Sequence, residues 1–99
     1  IFIKTEYRLE KVALDDILYI EGMRDYRRIH NRERRIMTLQ TFRELEQELP
    51  KSMICRVHKS FMVSLDKIVS VEKDRIRING VMIPISDTYR KSFLELINR

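Results

Sequence analysis

The sequence predicts a mostly β (α+β) fold in which short strands dominate, interrupted by a short mid-chain helix and a C-terminal helix. Three observations carry that prediction. β-Branched and aromatic residues recur in runs too short for helices. An Asn79-Gly80 pair sits between two such runs. Apolar residues return at helical spacing in only two segments, Phe42 to Leu49 and Tyr89 to Ile97.

Taken in order, Phe2 to Lys4 and Tyr7 to Val12 read as strands with Lys and Arg interleaved. Asp15 and Asp16 mark a turn. Ile17 to Ile20 is a continuous apolar run, which suits a strand buried on both faces. Tyr26 to His30 and Arg35 to Leu39 flank Asn31-Arg32-Glu33-Arg34, polar enough for a hairpin loop. Thr41-Phe42-Arg43-Glu44 fits a capping box, the Thr hydroxyl accepting from the N3 amide while Glu44 reaches back. Phe42, Leu45 and Leu49 then share one helical face, and Pro50 lies past its end. Ile54 to Val57, Phe61 to Val63 and Ile68 to Glu72 read as strands. Arg75 to Ile78 and Val81 to Ile85 form a hairpin, since Asn-Gly best tolerates the two positive φ angles of a type I′ turn. Ser86, Asp87 or Thr88 can cap the last helix, whose stripe is Tyr89, Phe93, Leu96 and Ile97, with Arg90, Lys91 and Glu95 off it.

Composition narrows what such a fold can do. Of 99 residues, 20 are Lys or Arg and 15 Asp or Glu, a formal charge of +5, and 43% are hydrophobic. That is a globular balance for one core, so residues 1–99 read as a single domain. The chain opens in a strand without an initiating Met and reads as a domain excised from a longer protein. No apolar run approaches the ~20 residues a membrane-spanning helix needs, and no secretory signal is visible. A lone cysteine cannot form an internal disulfide, which favours a reducing, cytoplasmic setting.

The charge is uneven. From Arg24 to Arg35 six arginines stand against Asp25 and Glu33, a local +4. From Lys51 to Ser64, Lys51, Arg56 and Lys59 meet no acid, a local +3. Thr41 to Leu49 instead carries Glu44, Glu46 and Glu48 against Arg43. The basic segments are expected to face a polyanion and the acidic one solvent, although outward-facing arginines also serve solubility alone.

Cys55 and His58 are the one pair suited to nucleophilic chemistry. A strand over Ile54 to His58 separates them, with Cys55 and Val57 facing the core and Arg56 and His58 pointing out. His30 adds only a distant third zinc ligand, and Gly22 and Gly80 build no phosphate loop. The expectation is no enzyme, no metal, no cofactor and a structural Cys55. Three basic and polar clusters are stronger. Arg56, His58, Lys59 and Ser60 sit between apolar strands, anchored from beneath by Phe61, Val63 and Leu65; Tyr26, Arg27 and Arg28 form a second cluster. The N-terminus of the last helix, with Arg90 and Lys91 in its first turns, forms a third. Lys and Arg suit guanine acceptors, hydroxyls and amides suit phosphates, and a solvated rim is the plain alternative for each cluster.

RVHKSFMVSLDKI (Arg56 to Ile68) resembles the signature segment of the LytTR family of bacterial DNA-binding domains. LDDILYIEG (Leu14 to Gly22), LQTFRELEQELP (Leu39 to Pro50) and IPISDTYRKSF (Ile83 to Phe93) match the family in the same order, so the resemblance spans essentially the whole chain. It implies small antiparallel sheets whose loops, rather than a recognition helix, read the major groove of double-stranded DNA. It further implies the C-terminal domain of a two-component response regulator, behind an N-terminal receiver domain, acting in transcription regulation on paired direct repeats in promoters, two copies pairing as a dimer on DNA.

Carried over residue by residue, the resemblance assigns Tyr26 or Arg27 to bases and Arg28 to the backbone. Lys59 takes a base-contacting position flanked by Arg56, His58 and Ser60, with Arg56 and Ser60 suited to phosphates. Family members frequently carry Arg just after the serine of the last strand. Here the run is Ser86-Asp87-Thr88, which leaves Thr88 to bond an edge or phosphate, Arg90 to substitute, and Asp87 as a cap. Two rivals remain at this level: an RNA-binding β module, which needs exposed aromatics for stacking, and a protein-interaction domain for an acidic partner.

Overall fold

The computed structural model describes residues 1–98. In chain order these form β1 (Phe2–Lys4), β2 (Leu9–Lys11), β3 (Ile17–Gly22), β4 (Arg27–Asn31), β5 (Arg35–Thr38), α1 (Phe42–Glu48), β6 (Ile54–His58), β7 (Phe61–Ser64), β8 (Ser70–Glu72), β9 (Arg75–Ile78), β10 (Val81–Pro84) and α2 (Asp87–Ile97). Short 3-10 turns, Leu14–Asp16 and Leu65–Lys67, lead out of Ala13 and Ser64. The strands make three antiparallel sheets: β1-β2, β10-β9-β8 and a central β5-β4-β3-β7-β6.

The apolar run at Ile17 to Ile20 accounts for the layering. β3 occupies the middle of the five-stranded sheet, and a β-bulge between Ile17 and Tyr19 breaks the strict alternation of its side chains between the two faces. Ile17 and Ile20 enter one core with Ile3, Ile29, Phe42, Leu45 and Met62, covered by β1, β2 and α1. Leu18 and Tyr19 enter a second with Val57, Val63, Ile76, Ile83 and Phe93, covered by the three-stranded sheet and α2. A sheet buried on both faces reads as unbroken hydrophobicity rather than alternation. The two buried polar residues are paired through their hydroxyls: Ser64 donates to the Ile17 carbonyl at 2.6 Å and Thr38 to the Lys4 carbonyl at 2.7 Å.

Local sequence signals are realised where they are strongest. The Thr41 hydroxyl accepts from the Glu44 amide at 3.1 Å and Glu44 accepts from the Thr41 amide at 2.9 Å, completing the capping box. Those bonds hold the exposed Glu44 carboxyl below its ordinary 4.5. Asn79 and Gly80 take φ of 47° and 79° in the β9–β10 turn, as a type I′ turn demands. Asn31 to Arg34 forms the β4–β5 hairpin loop, closed by Asn31 donating to the Arg34 carbonyl.

Departures from expectation have local causes. The strand expected from Tyr7 starts at Leu9 because Thr5 bonds the Arg8 carbonyl through both its amide (2.9 Å) and its hydroxyl (2.8 Å), bending residues 6–8. The strand expected from Tyr26 starts at Arg27 because the Tyr26 carbonyl accepts from Met23 and closes a turn. Ile68 and Val69 precede β8 rather than opening it, since the chain is still leaving the Leu65–Lys67 turn. At the last helix Ser86 is the N-cap residue without a side-chain bond, and Asp87 pairs with Arg90 instead of capping.

Cys55 is buried in the second core, and burial pushes its thiol up to about 11. Among the described residues no helix is long and apolar enough to cross a membrane.

Phe93 is fully buried in that core, so Phe93→Ala should lower stability by about 3–5 kcal/mol. The expected reading is a lower urea midpoint at unchanged slope; an unmoved midpoint would contradict this packing.

Candidate nucleic-acid interface

Strand register gathers the candidate residues at one end of the central sheet. β3 arrives there and β4 leaves, with Gly22 opposite Arg27. β7 also leaves from that end, Phe61 opposite Glu21, and β6 arrives, His58 opposite Phe61. The 23–26 loop and the 59–60 turn are therefore neighbours. The Gly22 amide stitches them together by donating to the Ser60 carbonyl at 2.7 Å. The Ser86 amide donates to the Val57 carbonyl at 2.9 Å and sets the first turn of α2 beside edge strand β6. All three clusters thus lie along one end.

Gly22 is what lets the first two approach. A Cβ there would stand 2.7 Å from a ring carbon of Phe42 and 3.3 Å from the Ser60 Cα.

Lys59 is exposed at the apex of the β6–β7 turn and makes no ion pair among the described residues. Beneath it the Ser60 amide donates to His58 Nδ1 at 3.0 Å, and the His58 ring meets Phe61 edge-on at 5.8 Å. His58 therefore folds onto the turn instead of pointing out. Arg56 also departs from the outward expectation. Only 16% of its side chain is exposed. Its guanidinium lies 4.2 Å from the Phe42 ring centre and 5.4 Å from that of Tyr89.

In the first cluster, neighbouring residues of β4 take opposite faces of the sheet. Arg27 shares the α1 face with Ile29, and Arg28 the other face with His30. Arg28 donates to the Tyr26 hydroxyl at 3.1 Å and lies 3.9 Å from Glu21. Glu21 also bonds His30 at 3.0 Å, and His30 stacks on Tyr19 at 4.2 Å. Burial lowers the His30 pKa from 6.5, outweighing the pull of Glu21. In the third cluster, Thr88 is exposed on the first turn of α2. Arg90 is engaged by Asp87, by Asp74 at 2.7 Å and by the Ile85 carbonyl at 3.3 Å, which ties α2 to the β8–β9 turn.

The +4 segment of the sequence is divided by the fold. Arg24, Arg27 and Arg28 stand at this end, while Arg32, Arg34 and Arg35 flank the β4–β5 loop at the far end of β4. There Arg34 pairs with Glu10 at 3.2 Å. Two further cations, Arg24 next to the first cluster and Lys91 in the third, are exposed without an ion pair among the described residues. Their sequence signals were the Arg24 to Arg35 basic run and a place in the first turns of the last helix.

A family model described as the LytTr DNA-binding domain matches residues 7–98. The chain belongs to that family. The LytTr fold is equally evident in three dimensions. A solved structure described as the LytTr DNA-binding domain assigned to a methyl-accepting/DNA response regulator from Bacillus cereus matches with a TM-score of 0.87 and 23% identity, covering 100% of this chain and 96% of that one. No curated protein matches the chain.

Two outcomes test this geometry of the LytTr domain. Gly22→Ala should cost about 1–3 kcal/mol in urea unfolding through the clash with Phe42 and Ser60. Because folded His30 resists the proton that the unfolded chain accepts near 6.5, acidification through that value should destabilise the domain until His30 itself charges. Unfolding curves at stepped pH should show this dependence shrinking in His30→Gln; equal slopes in both proteins would refute the assignment.

Proposed function

We propose that this LytTr domain binds double-stranded DNA sequence-specifically, through loops placed in the major groove, as the DNA-binding part of a bacterial transcription regulator. The single observation that carries the reading is the convergence of three cation-bearing segments on one end of a sheet packed on both faces. Adjacent strands lie ~4.8 Å apart, so the loops on the β4-β3 and β7-β6 pairs are roughly 10 Å apart. That matches a major groove ~12 Å wide. The row is narrow enough for one groove and wide enough to touch both walls.

In this reading Lys59 and Arg27 read base edges. Arg28, Ser60 and Thr88, joined by Arg24 and Lys91, hold the phosphate backbone. Tyr26 and His58 shape the loops that present them, while Arg56 and Arg90 already have protein partners. Neither helix is offered as a reading element: the exposed face of α1 carries Glu44 and Glu48, and α2 contributes only its first turns. The wider proposal is a cytoplasmic response regulator of a two-component system, with a receiver domain N-terminal to this domain and two copies pairing on promoter direct repeats. The domain itself performs no catalysis.

The test begins with selection from a randomised duplex pool, followed by fluorescence anisotropy on the selected duplex and single-base variants. Lys59→Ala should relax preference at one or two base pairs and cost about 1–3 kcal/mol. Arg28→Ala should weaken all sequences alike and flatten the salt dependence. Failure to enrich any sequence, or stronger binding to single-stranded RNA than to duplex, would overturn the proposal.

A further inference from the structure

Arg56 has the composition of a phosphate ligand and the surroundings of a keystone. Its Nε donates to the His58 carbonyl at 2.9 Å and its Nη2 to the Lys59 carbonyl at 2.6 Å. Its Nη1 donates to the Glu46 carboxylate at 3.1 Å. Phe42 of α1 and Tyr89 of α2 stand close to the guanidinium. One planar fork therefore joins both helices to the turn that carries Lys59. A phosphate would have to displace two carbonyls and a carboxylate from a side chain already mostly covered. Glu46 would then be left unpaired close to the DNA.

We infer that Arg56 is a positioning residue for base recognition: it fixes the His58–Lys59 backbone so that the Lys59 ammonium meets one base position, and it does not itself contact DNA. This rests on the duplex-reading function proposed above and gives it a determinant away from the contact surface. The role needs a rigid, bidentate, stackable cation, which Lys cannot supply.

The conservative variant Arg56→Lys separates this role from phosphate binding because it keeps the charge. Any loss at a phosphate ligand would fall on all sequences alike, whereas loss of a positioning residue relaxes preference at the base pair that Lys59 meets. On the selected duplex, Arg56→Lys should lose about 5- to 50-fold in affinity, with relaxed preference at the base pair that Lys59→Ala affects and an unchanged salt slope. The Arg56→Lys, Lys59→Ala double variant should bind about as weakly as Lys59→Ala alone. Independently of DNA, amide hydrogen exchange at Gly22 and Ser60, whose bonds lock the turn, should accelerate in Arg56→Lys while the β9 amides stay protected. Wild-type affinity in Arg56→Lys, multiplicative losses in the double variant, or unchanged exchange at Gly22 and Ser60 would each overturn the inference. If the wild-type chain selects no duplex, the DNA-reading proposal falls, and the exchange measurement still decides whether Arg56 holds the turn.

Discussion

The burial of β3 on both faces is the constraint from which the rest follows. A strand of Ile17, Leu18, Tyr19 and Ile20 with no polar face needs cover above and below. The short β1-β2 ribbon with α1 supplies one cover, and the β8-β10 sheet with α2 the other. Removing apolar surface from water drives both. Because the covers fix the sheet, the loops at its ends inherit a defined position. Gly22 ends this strand and is small enough for the next loop to be bonded directly against it.

The cations around that end include two contrasting kinds. Arg56 and Arg90 are held by Glu46 and by Asp74 and Asp87, and each also bonds backbone carbonyls. Lys59, Arg24 and Lys91 are exposed and unpaired among the described residues. The paired group neutralises acids that would otherwise repel a polyanion, and it fixes backbone. The unpaired group is available for long-range attraction, which falls off over a Debye length of ~8 Å at physiological salt. A basic residue is therefore not interchangeable with its neighbour two positions along the chain, even where the formal charges agree.

Features governed by neighbours in sequence are legible in the sequence alone. The Thr41–Glu44 capping box, the Asn79-Gly80 turn and the doubly buried Ile17 to Ile20 run depend on residues within a few positions of each other. Several strand limits are not, because a few local hydrogen bonds from Thr5 and Met23 set them. The candidate site was legible as three separate basic clusters. Their convergence comes from the pairing of β3 with β7, which no local pattern encodes. Nor could the alternation that turned Arg56 outward anticipate Phe42 and Glu46 arriving from α1 to cover it. The single run of arginines from Arg24 to Arg35 likewise hid the fact that β4 carries its two halves to opposite ends of the sheet.

The register of β3 has a consequence for how the domain comes into being. β3, β4 and β5 pair in sequence order, but Tyr19 meets Val63 only after α1 and β6 have been made. Loop closure across that span makes this pairing the slower and more cooperative step. A chain still leaving the ribosome holds the charges of the first cluster well before the Lys59 turn is laid beside them. Concentrated positive charge precedes its geometric arrangement, and the row of loops exists only once the sheet has closed.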